Sequence, residues 1–176
     1  MFEQIGSHLP VLVALAKLTP VKEIFEYGSG FSTCAFFRRH LFPDVVRVTS
    51  MENNPAWFDK VKDNVKDDRL VLMLQQDLRI YPPPSADLVL VDNEPWNIRV
   101  EILNMLRTNR TPALIVMHDA ELECYEAALA AWPFKATFRP VPLMPSSVIL
   151  SIGEKVYPTL QEIEDALVQL HSEAFP

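Results

Sequence analysis

Glu23-Ile24-Phe25-Glu26-Tyr27-Gly28-Ser29-Gly30-Phe31-Ser32-Thr33 decides the fold. Ile24, Phe25 and Tyr27 make a short strand that runs straight into two glycines, and Ser32 to His40 reads as the helix that follows. A strand ending on Gly-x-Gly permits a tight turn and lets backbone come close to a ligand. The helix start beyond it can favour negative charge. The Gly-Lys-Ser/Thr ending of a phosphate-binding P-loop is absent. Thr33 stands where a dinucleotide fingerprint has its third glycine, which counts against an NAD-dependent oxidoreductase. By itself the turn is equally readable as a bare structural bend.

Working outward, fifteen prolines against only four glycines punctuate the element boundaries. A helix lies within residues 1–19, starting at Ser7 or His8, tolerating Pro10 in its first turn and stopping at Thr19-Pro20. Val45 to Met51 is a second strand, and Asn54-Pro55 opens a helix that ends near Lys66. Strands over Leu70 to Leu74, Ala86 to Val91 and Ala113 to Met117 alternate with helices over Ile98 to Leu106 and Leu122 to Ala131. The strands from Ala86 and Ala113 are apolar on both sides, as central parallel strands are. Phe134 to Phe138 and Ser147 to Ile152 follow as two strands with little between them, the second expected antiparallel, before a terminal helix over 158–171. This is an α/β pattern: one domain over 1–176, a mostly parallel sheet and helices on both faces.

Composition sets the outer limits. The 176 residues are 49% hydrophobic and 22% charged, enough for an ordinary core. Sixteen Lys and Arg against 23 Asp and Glu give a net charge of −7, which argues against general nucleic-acid binding. No apolar run reaches the roughly 20 residues of a membrane span, and no signal peptide is expected. Two cysteines, Cys34 and Cys124, make no disulfide framework and read as inert thiols, so a cytoplasmic location is expected.

In open α/β sheets ligands bind outside the carboxyl ends of the strands, so the residues just past each strand carry the chemistry. Glu52 ends the second strand, where a carboxylate can accept two hydrogen bonds from a ribose diol. Gln75-Gln76-Asp77 follows the third, as an adenine-reading edge or as a polar loop. Asp92-Asn93-Glu94 and His118-Asp119 follow the next two. These residues admit three readings. They could hold a divalent metal through oxygen ligands, His118 could be a general base, or Asp92 could position a cofactor while His118-Asp119 caps a helix. Phe31 and Trp96 are placed to line or cover the cleft.

The chain resembles the class I S-adenosylmethionine-dependent methyltransferases. Phe25 to Thr33 resembles their first motif, an acid followed by Gly-x-Gly, and Ser50 to Trp57 their second; Leu90-Val91-Asp92 and Ile115 to Asp119 match by position. The resemblance implies a Rossmann-like sheet of seven strands with the last antiparallel, and S-adenosylmethionine as cofactor. It implies Glu26 and Gly28 near the methionine part, Glu52 near the ribose and Asp77 near the adenine. Ser29, Gly30, Ser32, Asn53 and Asp92 complete the cofactor-binding set, and His118 with Asp119 are the catalytic candidates. Asp92 and Asp119 partly match the metal-dependent catechol-type members. His118-Asp119 stands where those have Asp-Asn, and no metal is expected. The implied reaction is methyl transfer to an oxygen or nitrogen of a small-molecule acceptor, with no membrane partner and the oligomeric state open. The alternative is a non-catalytic nucleoside-binding or interaction domain of the same fold. Only the N-terminal helix and the loops at Tyr81 and Arg139 to Pro145 are available to shape an acceptor pocket.

Overall fold

The computed structural model describes residues 8–82, 85–110, 113–138, 147–151 and 160–174. Ser7 and the Arg139 to Pro145 loop lie outside them. The elements run α1 (Leu9–Leu18), β1 (Glu23–Tyr27), α2 (Phe31–Ala35), β2 (Arg47–Glu52), α3 (Pro55–Asn64), β3 (Leu70–Leu74) and β4 (Leu88–Val91). Then follow α4 (Asn97–Thr108), β5 (Leu114–His118), a 3-10 turn (Glu123–Tyr125), α5 (Glu126–Ala130), β6 (Phe134–Phe138), β7 (Ser147–Ser151) and α6 (Leu160–Ala174).

The seven strands form one sheet in the order β3-β2-β1-β4-β5-β7-β6. The first five are parallel, and β7 runs antiparallel to both β5 and β6. This is the Rossmann-like architecture that the sequence implies. Strand alternation sends successive side chains to opposite faces. Ile24, Val48, Leu88, Leu90, Leu114, Val116 and Ile149 pack with α1, α2 and α6 on one face. Phe25, Met51, Val89, Val91, Ile115 and Met117 pack with α4 and α5 on the other. All of β4 is buried, which its continuous Leu-Val-Leu-Val run requires.

Strand order reverses between β1 and β4, and the crevice above that pair is where such sheets take ligands. Asn54 opens α3 by accepting from the Ala56 and Trp57 amides at 3.0 and 3.3 Å, with Pro55 behind it. Two elements differ from expectation. The helix expected over Leu122 to Ala131 is a 3-10 turn followed by a five-residue α-helix, Glu126–Ala130, with Leu122 extended before it. The helix over Ser32 to His40 is a single turn, ending at Ala35. The Arg38 amide bonds the Ala35 carbonyl at 2.9 Å, and the chain then turns so that Phe36 and Phe42 meet edge to face in the core. Burying two aromatic rings outweighs the few backbone bonds that a longer helix would add.

Candidate functional site

The site has two halves above adjacent strand ends. The first is the glycine turn. Glu26 is fully buried on β1, and its carboxyl accepts from the Ser32 hydroxyl and, at 2.5 Å each, from the Thr33 and Ser50 hydroxyls. Burial raises its pKa to about 7, although the hydroxyls partly offset it. Thr33, in place of a third glycine, also accepts the Gly30 amide at 2.8 Å, so it ties the turn to the buried acid. Glu52 is occupied as well. One oxygen accepts from the Ser29 amide and hydroxyl at 3.1 and 3.2 Å, the other from the Asn53 and Asn54 amides at 2.9 and 2.7 Å. The Trp57 indole N–H donates to the Ser29 carbonyl.

The two glycines differ in kind. Gly28 has φ +89°, and a side-chain carbon there would lie 2.6 Å from both the Asn93 Cα and the Asp92 carbonyl oxygen. The protein itself demands glycine at that position. A side-chain carbon on Gly30 would meet nothing closer than the Trp57 indole nitrogen at 3.7 Å. The protein does not demand glycine at Gly30, and the missing side chain leaves space open. An open groove of about 520 Å³ is lined by Asn53, Asn54, Pro55, Glu94 and Pro95, past the ends of β2 and β4. The Asn53 amide group crosses from the β2 end to the Glu94 carbonyl at 2.7 Å.

The second half gathers at the ends of β4 and β5. Arg99 on α4 is 2% exposed and donates to the Asn93 carbonyl at 2.7 Å and to the His118 carbonyl at 3.0 Å. It also pairs with Asp119 at 3.0 Å and Asp92 at 3.2 Å. The His118 Nδ1 lies 3.1 Å from Asp92 and 3.3 Å from Asp119. Burial disfavours the imidazolium, but the hydrogen bonds and charges of Asp119 and Asp92 outweigh it and raise His118 to about 9. The same hydrogen bond from His118, with help from Arg99, pulls Asp119 down to about 2. Asp119 sits in the left-handed region, φ 55°, a conformation Asp tolerates better than most residues.

The structure thus brings Glu26, Gly28, Ser29, Gly30, Ser32, Glu52 and Asn53 together, and Asp92, His118 and Asp119 together, with Gly28 touching the Asp92-Asn93 backbone between them. Asp77 is engaged elsewhere: it is exposed and takes Arg79 in a two-point pair at 2.8 and 3.1 Å, while Arg79 also reaches Glu101 at 2.9 Å. Phe31 and Trp96 are about half exposed.

Two residues of the site escaped sequence reasoning. Arg99 shares a helical stripe with Ile102, Leu103 and Leu106, all buried. A charge on an apolar stripe signals a buried ion pair. His8, read only as a helix start, is 5% exposed, lies 3.7 Å from Asp92 and packs its ring against His118 at 4.6 Å. No helix among the described residues is long and apolar enough to cross a membrane.

No protein-family model matches the chain, and no curated protein does. Solved structures match its fold. Human methyltransferase-like protein 13, solved in complex with SAH, superposes with a TM-score of 0.64 at 16% identity, over 94% of this chain and 89% of that one. A precorrin-6y C5,15-methyltransferase from Geobacter metallireducens gives 0.56 at 15% identity, over 84% and 90%. A spermidine synthase from Thermotoga maritima gives 0.59 at 11% identity, over 95% and 70%. At these identities the likeness is one of fold: the Rossmann-like fold of class I methyltransferases, which the spermidine synthase shares.

Proposed function

We propose that the chain binds S-adenosylmethionine over the Gly28–Gly30 turn and transfers its methyl group to an oxygen or nitrogen of a small molecule. One observation carries this reading. Gly30 leaves room for a side-chain carbon that the protein does not fill, beside Ser29, whose hydroxyl a ribose hydroxyl could replace on the Glu52 carboxylate. The nucleoside, when bound, brings an activated sulfonium methyl, so the protein's task is to hold donor and acceptor in line. Ser29 and Glu52 would share the ribose, with Asn53 at the groove edge. Asp92, fixed by Arg99, would face the amino-acid end. His118 carries its proton at neutral pH, because Asp92 and Asp119 hold it. At neutral pH it therefore acts on an acceptor as a charged hydrogen-bond donor, and a base role requires that proton to leave first. The two free cysteines among the described residues support a reducing, cytoplasmic setting.

Calorimetry with S-adenosylmethionine and S-adenosylhomocysteine tests the reading, followed by mass spectrometry of acceptor panels. One-to-one binding of both nucleosides is expected. A folded wild type that binds neither would end the proposal.

A further inference from the structure

His8, Asp92 and His118 each offer a ligand atom, and those atoms all lie within 4.8 Å of one another. The His118 Nδ1 is 3.1 Å from one Asp92 oxygen, and the His8 Nδ1 is 3.7 Å from the other. Two donors bound at about 2.0–2.2 Å to one zinc-like ion stand roughly 3.0–3.5 Å apart, so the His118–Asp92 contact is already at coordination spacing, while the His8 contact is slightly longer and runs to the second Asp92 oxygen. Closing the triangle on one ion brings His8 inward from within that 4.8 Å limit.

A second observation points to a ligand. His8 is 5% exposed, and among the described residues neither of its ring nitrogens has a hydrogen-bond partner. A buried imidazole in that state is a standing cost unless something occupies it. The surroundings also hold the donors in place. Arg99 bonds Asp92, the Asn93 carbonyl and the His118 carbonyl, so it fixes the two strand ends that carry two of the three donors. His8 comes from the start of α1, which packs on the sheet through Leu9, Val11, Leu12 and Leu15.

We propose that His8, Asp92 and His118 form a two-histidine, one-carboxylate site for a first-row divalent ion of borderline softness, of which zinc is the representative. Imidazole nitrogens select such ions over magnesium and calcium, which take oxygen ligands. The ion takes the place of the proton that His118 Nδ1 holds between Asp92 and Asp119, which leaves to solvent, and three protein donors leave a coordination position open for water or an acceptor. The proposal reverses the sequence expectation of no metal, because His8 could not be placed at the ends of β4 and β5 from sequence. It stands on the donor atoms and does not rest on the methyl-transfer reading.

The test is titration of the purified, metal-stripped chain with Co2+ alone, read by visible absorption, and with Zn2+ alone, read by calorimetry and thermal melting. One equivalent should bind, with visible d–d absorption for Co2+ and a metal-dependent rise in Tm for Zn2+. His8→Phe fills the same buried space with an apolar ring. It should keep the metal-free Tm and lose at least tenfold in affinity, as should Asp92→Asn. His40→Ala, at an exposed histidine, should bind like wild type. If either variant fails to fold, the His40→Ala chain still decides: one equivalent of Zn2+ must perturb two histidine imidazole signals together in its NMR spectra. Absence of stoichiometric binding, perturbation of fewer than two imidazoles, or unchanged affinity in folded His8→Phe overturns the site, whether or not nucleoside binds.

Discussion

Gly28 and Asn93 touch backbone to backbone: a side-chain carbon on the glycine would stand 2.6 Å from the Asn93 Cα, with φ already at +89°. The contact joins the ends of β1 and β4, so it holds the two halves of the site together. Gly28→Ala should therefore act on stability, costing roughly 2–4 kcal/mol from strain and overlap and lowering Tm by about 5–12 °C. Gly30→Ala should leave Tm within about 2 °C and weaken S-adenosylhomocysteine binding tenfold or more. Melting curves and calorimetry on the two variants separate the roles. Intact binding in Gly30→Ala would remove the ligand from this turn.

Glu52 accepts four hydrogen bonds from Ser29, Asn53 and Asn54, so removing its charge loosens the turn as well as any ribose contact. Glu52→Gln should cost about 1–3 kcal/mol of stability. The ribose contribution is isolated with an analogue lacking both ribose hydroxyls. Wild type and Glu52→Gln should bind that analogue within about threefold of each other, and the natural nucleoside more than tenfold apart. Equal losses for both ligands would assign Glu52 to the turn alone.

The difference between what the sequence reveals and what it hides follows from range. β1, β3 and β6 lie where local pattern puts them, because β-branched and apolar runs bounded by prolines and glycines are local facts. The strand-end residues Glu52, Asp92 and His118 were legible for the same reason: each follows an apolar run. α2 was not, since its early stop depends on Phe36 and Phe42 reaching the core together. Nor were the engagements of Glu26 and Asp77 legible, because partner choice depends on side-chain reach. His8 and His118 meet only through the packing of α1 across the sheet, a contact no local window contains.

Arg99 is the buried cation between two carboxylates, and its removal leaves Asp92 and Asp119 facing each other without it. Both acids are partly exposed, which screens them, so Arg99→Met should cost about 3 kcal/mol rather than the larger penalty of a sealed pair. Arg99→Lys should restore less than half of that, because a single ammonium cannot reach both acids and both carbonyls. Urea unfolding supplies the values; a loss under 1 kcal/mol in Arg99→Met would show that the cluster does not depend on its guanidinium.

Glu26 links the glycine turn to pH. Burial raises its native pKa from 4.5 to about 7, so the folded protein holds this proton more tightly than the unfolded chain. The sign follows: Glu26 contributes stability that is fully present below pH 4.5 and is lost as pH rises through 7. His8 works in the opposite direction. Burial lowers it to about 4, and its contribution is present above pH 6.5 and lost as pH falls through 4. A stability profile of the wild type alone mixes the two. Glu26→Gln removes the first and keeps the second. The hydroxyls of Ser32, Thr33 and Ser50 can rotate to serve the amide, so the variant should fold. Measured by urea unfolding between pH 4.5 and 8, the wild type should lose stability relative to Glu26→Gln, by an amount on the order of 3 kcal/mol at most. The change should concentrate between pH 5 and 7. A pH-independent difference would mean that Glu26 stays ionised in the fold and that the three hydroxyls, rather than a proton, hold its charge.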